Sequence, residues 1–438
     1  MENLDEIKKI SEILKDYTDS FEIVKRKTEI LSLVSFFKSP ERIEKSESSS
    51  FHIRGIKDKR LGNLNIKSIH QMEKEILKNT FKYGKKVDFQ FPSPAKYPKV
   101  ETFDPILSLW DERMLEYTKN TIEKELKKLH IQGRIEITRG IYIERIINTN
   151  SLDISYKRTG INIYLMLWPS TVKKLLSMEF KIGKWDENIW QMWLRRAHEI
   201  LSFSNISSVD IQEKSIPVIF APEALGWIYW PLYHWISGTL KDSPLREKLG
   251  KKSFSSQLTV IDNPTANFLI NSSPFDSEGV PSRDIKLIEA GIPKRLLYDL
   301  ESADGKGEET TGSRRFSDWI SDRGHKKSAN VVPANLRVLP GRLSLQEILE
   351  ELGRSLMIYD CEYAWDVAEK PKIKVTFGYL MRGTKVEGVV TDIMLEVELF
   401  EALSTIAFVS KETDISEGGW PYIAFKNIKV KQEKVRKN

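Results

Sequence analysis

A period-two alternation of apolar and polar residues over positions 133–167 constrains the fold of this chain more than any other feature. Successive side chains of a β-strand point to opposite faces, so apolar residues at every second position predict strands with one buried face. Several such runs in succession are typical of an antiparallel meander. The alternating residues are Ile135 and Ile137, Ile141 and Ile143, Leu152, Ile154 and Tyr156, and Ile161, Ile163, Leu165 and Leu167.

Helical patterns flank the predicted meander on both sides. Apolar residues at helical spacing predict an amphipathic helix at the start of the chain, a second over about 114–129, and a third that begins at the N-cap Asp186. In the second half, Ser344 and Glu347 form the capping-box pattern of another helix, and alternation over 373–379 predicts a further strand. Helices and strands in this order favour an α+β fold.

The length of 438 residues suits two or three domains of about 150 residues each. The polar stretch 202–214 separates the two halves of the pattern. We therefore predict two domains, 1–204 and 205–438, each with a mainly antiparallel sheet and flanking helices. Residues 301–330 are polar and contain glycine, so we expect a long surface loop there.

Charge and cysteine content exclude several classes of function. Lysine and arginine total 68 against 62 acidic residues, and this near balance argues against a nucleic-acid partner, which needs clustered basic residues. The single cysteine, Cys361, excludes an intramolecular disulfide and a cysteine-based zinc ribbon. The start of the chain does not resemble a signal peptide, and the apolar stretch 216–240 contains three prolines. We expect a cytoplasmic protein without a membrane span.

The residue types that usually carry catalysis form no recognisable motif. The chain has six histidines, and the His198-Glu199 pair lacks the second histidine that a zincin helix needs, so we interpret His198 as a helix-surface residue. Cys361 lies between Asp360 and Glu362, a setting that raises the pKa of a thiol. No nucleophile elbow, Walker A loop or dinucleotide-binding fingerprint occurs.

A dense polar segment at 274–284 is the remaining candidate site. Two carboxylates and a glycine lie between its two prolines and an arginine follows them, and Arg283 could clamp Asp276 or Glu278 through bidentate hydrogen bonds. One interpretation is a turn whose polar groups satisfy each other. The other is a loop that lines a peptide cleft. The candidate cleft residues are Phe275, Asp276, Glu278, Gly279 and Arg283.

At this segment the sequence resembles the TldD/TldE (PmbA) peptidases, a family also described as modulators of DNA gyrase. FDSEGVPSRD at 275–284 is similar to the family's Phe-Asp-x-Glu-Gly-x-Pro-Ser/Thr-Arg signature. TTGSRR at 310–315 is similar to its Thr-Gly-x-x-Arg pattern, and VPANLRVLPGRLSLQEI at 332–348 to its Pro-x-Asn-Leu, Pro-Gly and Ser-x-x-Glu patterns. RGIKDKRLG at 54–62 is similar to its Arg-x-x-x-x-Gly-Arg-x-Gly hairpin, with Lys59 at the usual glycine.

The resemblance also implies which kind of subunit the chain is. TldD-like subunits carry a His-Glu-x-x-x-His helix and a later Cys-Gly-Lys stretch that together hold a catalytic metal, whereas TldE-like subunits lack them. With His234 at the second histidine, Tyr229 and Trp230 replace the first histidine and the glutamate, and 415–420 contains no Cys-Gly-Lys. The resemblance therefore implies a TldE-like chain without catalytic or metal-binding residues, with zinc in a TldD-like partner. We expect His234 to be packed among its aromatic neighbours.

Three hypotheses remain open. In the first, a TldE/PmbA-like subunit helps a TldD-like metallopeptidase bind unfolded peptides through strand-like backbone contacts. In the second, the chain is a stand-alone homodimer that binds peptides without cleaving them, or cleaves them at a site that the sequence does not reveal. In the third, and least favoured, it is a DNA- or gyrase-associated binder, as the family's older name and a pI near 8.9 suggest.

Overall fold

A seven-stranded antiparallel sheet, called here the N-terminal sheet, is built from residues 20–182 of the computed structural model. The three predicted helices are present, and the Asp186 carboxylate accepts hydrogen bonds from the N–H groups of Asn188 and Ile189 as an N-cap. The structure describes residues 2–36, 41–169, 176–316, 329–364, 372–414 and 419–432. The elements up to residue 202 are α1 (Glu2–Lys15), β1 (Ser20–Phe36), β2 (Arg42–Lys57), β3 (Arg60–Ile66), α2 (Lys74–Lys82), β4 (Lys85–Lys86), α3 (Pro105–Ser108), α4 (Glu112–Lys128), β5 (Ile131–Asn148), β6 (Asp153–Pro169), β7 (Leu176–Ile182) and α5 (Glu187–Ser202).

The predicted meander consists of long strands rather than short segments. The strands lie in the order β4-β3-β2-β1-β5-β6-β7, and every neighbouring pair is antiparallel. β5 and β6 pair without interruption from Ile131 opposite Pro169 to Ile147 opposite Asp153. Gly140 lies opposite Gly160 in this register, so the polar interruptions that divide the pattern in the sequence do not divide the strands.

The buried face of the N-terminal sheet changes along β5. Ile135 and Ile137 are buried in the first half of the strand, whereas Tyr142 and Glu144 are buried in the second half and Ile143 is 37% exposed. The pairing register is unbroken, so side chains alternate regularly throughout. One face of the sheet is therefore buried at the end where β5 begins, and the opposite face is buried at the end where β5 finishes. The prediction of a single buried face was wrong here, because hydrophobicity alone does not reveal what packs on each end.

The second half of the chain forms a sheet that closes on itself. β8 pairs with β20, β20 with β18, β18 with β16, β16 with β15, and β15 with β8 in the only parallel pairing of this ring. The elements from residue 215 are β8 (Ser215–Phe220), α6 (Gly226–Trp235), β9 (Val260–Asp262), β10 (Ile285–Glu289), β11 (Ile292–Pro293), α7 (Leu300–Ala303), β12 (Arg314–Arg315), β13 (Asn330–Val331), β14 (Leu336–Val338), α8 (Leu345–Leu352), β15 (Arg354–Ala364), β16 (Lys372–Arg382), β17 (Lys385–Val390), β18 (Ile393–Glu396), α9 (Leu399–Ser404), β19 (Ile406–Thr413) and β20 (Pro421–Gln432).

Strand β8 is buried on both of its faces, as its continuous apolar sequence suggests. Val218 and Phe220 join a core that lies wholly in the second half of the chain and includes residues of α6. Ile219 and Ala221 join a second core that contains residues of α4, α5 and β5. Because this second core combines both halves of the chain, the halves pack together through apolar side chains. The prediction of an α+β protein with mainly antiparallel sheets is confirmed, and the domain boundary at 204 and 205 stays a prediction.

The predicted surface loop at 301–330 is in part a buried segment. Arg314 and Arg315 form β12 and are both largely buried, and residues 317–328 lie outside the described part of the chain. The prediction of a surface loop was wrong for 311–316, because these polar residues find partners in the interior. Among the helices that the structure describes, none is long and apolar enough to cross a membrane.

Candidate functional site

Buried polar residues lie on one face of the N-terminal sheet, the face on which the side chains of Tyr142 and Glu144 are buried. Side chains directly opposite each other on neighbouring strands share a face of the sheet. This face, which we call the polar face, is therefore defined by cross-strand rows. The rows are Arg54, Glu22 and Asn148; Arg26, Glu144 and Tyr156; and Thr28, Tyr142 and Arg158.

The segment 274–284 lies on the polar face, and a buried ion cluster joins the two. Arg54 Nη1 lies 2.5 Å from Glu278 Oε1, and Arg54 Nε donates to Glu22 Oε1 at 2.9 Å. Burial raises the pKa of both carboxyl groups to about 7, and the charge of Arg54 opposes this shift. The cluster has one guanidinium for two carboxylates, so it carries an excess negative charge when both are ionised.

Asp276 organises the same segment from within. Its Oδ1 accepts hydrogen bonds from the N–H groups of Glu278 and Val280 at 2.9 and 3.0 Å, and its Oδ2 accepts one from the N–H of Arg314 at 3.0 Å. Burial raises the pKa of the Asp276 carboxyl to about 6. Gly279 completes the turn with a φ of +80°, a conformation that glycine adopts without strain. The carboxylate therefore holds the segment and β12 in one arrangement.

Two further polar contacts anchor this loop. The Ser277 hydroxyl donates to Glu144 at 3.2 Å, and the Tyr142 hydroxyl donates to the same carboxylate. Arg314 forms an ion pair of 2.7 Å with Asp299, whose carboxylate also caps α7. Burial acts against ionisation of Asp299, but the Arg314 charge and the capping hydrogen bonds outweigh it and lower the pKa of this carboxyl. The loop is thus tied both to the polar face and to α7.

A small cavity of about 30 Å³ lies between the polar face, the segment 274–284 and α6. Phe275 forms one wall and meets Tyr156 edge to face, with ring centroids 5.1 Å apart. The guanidinium of Arg158 lies over the ring of Tyr142 at 4.4 Å. Other lining residues are Glu144, Asn271, Ser277, Arg315, Phe316, Val332, Pro333, Ala334, Tyr229, Trp230 and Tyr233.

Helix α6 contributes an aromatic edge to this cavity through Tyr229, Trp230 and Tyr233. Their ring centroids lie 5.2 to 5.8 Å apart, and Tyr229 also meets Trp420 at 5.4 Å. Trp230 is 43% exposed, so the edge is open to solvent. His234 is exposed and touches only the edge of the Tyr233 ring among the aromatic contacts described. The prediction of a packed His234 was wrong, because its neighbours turn toward the core or the cavity.

The structure distributes the predicted cleft residues over different positions. Phe275 lines the cavity, whereas Asp276 and Glu278 are buried against protein groups. Gly279 lies beside them, and its carbonyl accepts a hydrogen bond of 3.0 Å from the Tyr97 hydroxyl. Arg283 is exposed and donates to the carbonyl oxygen of Thr310 at 3.1 Å. The predicted Arg283 clamp on Asp276 or Glu278 was therefore wrong, since Arg54 pairs with Glu278 and backbone N–H groups satisfy Asp276.

Sequence reasoning missed the residues of the polar face. Glu22 alternates with the apolar Phe21 and Ile23, and Arg26 and Glu144 have charged neighbours in the sequence, so all three positions read as solvent-facing. Strand length is the signal that could have indicated these residues. β1 and β5 have 17 and 18 residues, so each is too long for a single helix to cover, and its far end must pack against another part of the chain. Arg54 begins the RGIKDKRLG stretch, and its side chain was not recognised as the partner of Glu278.

The residues at this site do not fit a catalytic zinc ion. A catalytic site supplies three protein ligands. In α6, the positions that the resemblance assigns to two histidine ligands hold Tyr229 and an exposed His234, and the position of the glutamate holds Trp230. Within the described ranges, no group of three histidine, cysteine, aspartate or glutamate residues could hold a metal. Residues 415–418 of the segment where a Cys-Gly-Lys stretch is expected lie outside those ranges.

The fold and the site define a class: an α+β protein whose two halves share a core and enclose a polar cavity beside an aromatic helix. Residues 213–432 match the sequence model of the PmbA/TldA metallopeptidase C-terminal domain, which is half of the chain. The chain belongs to the TldD/PmbA family of metallopeptidase-like proteins.

Similar proteins support this assignment. An uncharacterized protein of Methanocaldococcus jannaschii, MJ0231, is 24% identical over 333 residues, or 72% of this chain and 73% of that protein. Metalloprotease PmbA of Escherichia coli O157:H7 is 28% identical over 160 residues, or 36% of this chain and 32% of that protein. The crystal structure of TldE from Thermococcus kodakarensis has a TM-score of 0.82 at 20% identity and covers 97% of this chain and 99% of that chain. A Thermotoga maritima protein described as a modulator of DNA gyrase has a TM-score of 0.85 at 20% identity, covering 98% and 99%.

Proposed function

We propose that this chain is a TldE/PmbA-like subunit of a TldD/TldE-type metallopeptidase complex, and that it helps bind unfolded or extended peptides for proteolysis at a zinc site in a TldD-like partner. One observation carries the proposal. At the positions where the resemblance expects the first histidine ligand and the glutamate of the motif, α6 presents Tyr229 and Trp230, and with Tyr233 they border a cavity. Aromatic side chains bury large apolar areas and tolerate many peptide sequences, which suits binding without cleavage.

The predicted cleft residues have different roles in this proposal. Phe275 contacts the peptide directly, because it lines the cavity beside the aromatic edge. Asp276, Glu278 and Gly279 hold the loop that carries Phe275, through the hydrogen bonds described above. Arg283 lies at the exposed end of the loop, where an acidic peptide side chain could reach it.

Co-purification with a TldD-like protein that has an intact His-Glu-x-x-x-His motif tests the proposal. We expect a stoichiometric complex by size-exclusion chromatography with light scattering, cleavage of unfolded β-casein by the complex, and no cleavage by this chain alone. A partner with glutamine at the motif glutamate is the matched control, and its complex should form without cleaving casein. Stoichiometric zinc and casein cleavage in the lone chain would falsify the proposal.

The oligomeric state in that experiment, together with chromatography on immobilised DNA, separates the competing hypotheses. A stable homodimer that ignores the TldD-like protein would favour a stand-alone peptide-binding protein. Salt-dependent retention on DNA would favour a nucleic-acid binder. We place the complex in the cytoplasm, since a chain with one cysteine can form no disulfide of its own and suits a reducing compartment.

A further inference from the structure

We propose that the cavity beside α6 binds a carboxylate of an extended peptide, in the first place its C-terminal carboxylate. This inference rests on the proposed peptide-binding function and names the chemical group that the site recognises. The cavity volume of about 30 Å³ gives room for roughly two or three water molecules. A carboxylate has a similar size, whereas a bulky side chain does not fit within this space.

The charges that line the cavity favour an anion. Two guanidinium groups, those of Arg158 and Arg315, and one carboxylate, that of Glu144, line it. Glu144 accepts hydrogen bonds from the hydroxyl groups of Tyr142 and Ser277, so its oxygens are already engaged. Among the lining groups alone this leaves one positive charge, which matches a singly charged carboxylate better than a doubly charged phosphate. The buried carboxylates of Asp262 and Asp276 also interact with Arg315, from outside the lining.

Arg315 has unused hydrogen-bonding capacity at this position. It is 8% exposed and donates to the hydroxyl oxygens of Ser273 and Ser282 at 2.6 and 3.2 Å and to the carbonyl oxygen of Gly312 at 3.0 Å. These acceptors are neutral, and within the described part of the chain its Nε is buried without a hydrogen-bond partner. A buried guanidinium with a free donor gains a charge-assisted hydrogen bond when a carboxylate enters.

The aromatic edge determines where the rest of the peptide lies. Trp230 is open to solvent beside the cavity, with Tyr229 and Tyr233 packed against it. A peptide whose terminal carboxylate enters the cavity can therefore rest its last apolar side chains on Trp230. Such a site recognises the end of a chain and one or two apolar residues, and it places no demand on the remaining sequence.

Fluorescence anisotropy of N-terminally labelled peptides with the full-length chain tests the inference. Three peptides share an apolar sequence: a free acid, a C-terminal amide, and an amide with one internal glutamate. We expect the amide to bind about tenfold more weakly than the free acid. If the glutamate-containing amide binds as well as the free acid, a side-chain carboxylate also enters the cavity. Equal binding of the free acid and the plain amide, or no binding of the free acid, overturns the inference.

Substitutions locate the binding to this cavity. Arg315→Gln should weaken binding of the free acid about tenfold and remove the difference between acid and amide. Arg342→Gln, at an exposed arginine outside the cavity, is the matched control. It should change neither the affinity for the free acid nor the difference between acid and amide. If Arg315→Gln does not fold, the comparison of acid and amide on the unchanged protein still decides. A chain that binds acid and amide equally, yet restores casein cleavage by a TldD-like partner, refutes the carboxylate site and leaves the proposed subunit role intact.

Discussion

Arg54 and Glu278 are 224 residues apart in the sequence and form a fully buried ion pair, with 2.5 Å between Nη1 and Oε1. Arg54 comes from the hairpin of β2 and β3, and Glu278 from the loop that follows Phe275. Two of the segments that resemble the TldD/TldE family thus meet at one point. A third, TTGSRR, joins them because the N–H of Arg314 donates to Asp276. The residues of these family-like segments therefore form a contact between the two halves of the chain, which we call the joint.

Removing the cation of this joint should destabilise the protein strongly. Arg54→Met leaves Glu22 and Glu278 buried without a counter-charge, and breaking a buried pair in this way costs about 3–5 kcal/mol. Urea denaturation measures the loss in the free energy of unfolding. Arg60→Met is the matched control, because Arg60 lies in the same hairpin but is exposed, and it should cost less than about 1 kcal/mol.

Adding Glu278→Gln to Arg54→Met tests the cause of that loss. The double variant removes one of the two uncompensated charges, so we expect it to regain part of the stability that Arg54→Met loses. If Arg54→Met costs no more than Arg60→Met, the ion pair does not hold the halves together.

The excess carboxylate in the cluster should make stability depend on pH. Burial raises the pKa of Glu22 from an ordinary 4.5 to about 7, so between these values the folded state binds a proton that the unfolded state has released. The free energy of unfolding should therefore fall as pH rises from about 4.5 to about 7. Glu22→Gln keeps the volume, removes the titration and leaves one cation with one carboxylate. Relative to wild type, we expect this variant to gain on the order of 1–3 kcal/mol between pH 5 and pH 8.

His52 contributes with the opposite sign and must be separated from this effect. Burial lowers the pKa of its imidazole to about 3, so its stabilising contribution is lost as pH falls below about 6.5. Because His52 is present in both proteins, the difference between wild type and Glu22→Gln cancels this contribution. Glu12→Gln, at an exposed position of α1, is the control and should track wild type. A Glu22→Gln variant that also tracks wild type at every pH would show that Glu22 stays ionised.

The local sequence pattern predicted individual helices and strands, but it did not predict how the strands of the second half close into a ring. The helix α1, the Asp186 cap and the Ser344 capping box are present because each depends on residues a few positions apart. The ring of strands depends on the parallel pairing of β8 with β15, in which Val218 lies opposite Leu356, and no local periodicity encodes that contact. The change of buried face along β5 has the same origin, since it depends on what packs on each end of the sheet.

The candidate site shows a similar division. The composition of the segment 274–284 indicated a rigid polar loop, and the structure places Phe275 at the cavity and Asp276 at the centre of the loop. The partner of Glu278 could not be derived, because several arginines are available in sequence and only the tertiary fold selects Arg54 over Arg283. Arg158 and Arg315 were missed for the same reason.

The single thiol should be unreactive in the folded protein. Burial raises the pKa of Cys361 well above its ordinary value, and the neighbouring Asp360 raises it further, so the thiolate is scarce near neutral pH. With Ellman's reagent at pH 8, we expect native protein to react at least about tenfold more slowly than protein in guanidinium chloride. The denatured protein serves as the internal control and should release one equivalent of chromophore, since the chain has one cysteine. A native rate equal to the denatured rate would contradict this prediction.

The turn at Gly279 should tolerate no side chain. Its φ is +80°, and a Cβ built there would lie 2.5 Å from Cδ2 of Leu152, the residue that precedes β6. Gly305 has a similar φ of +70° with nothing within 4 Å of its Cβ position, which makes it the matched control. Gly305→Ala should cost about 1 kcal/mol through backbone strain alone. Gly279→Ala should cost about 2–4 kcal/mol in urea denaturation, because strain and overpacking combine. Equal losses in the two variants would mean that Leu152 moves aside freely and that the loop is not packed tightly against the N-terminal sheet.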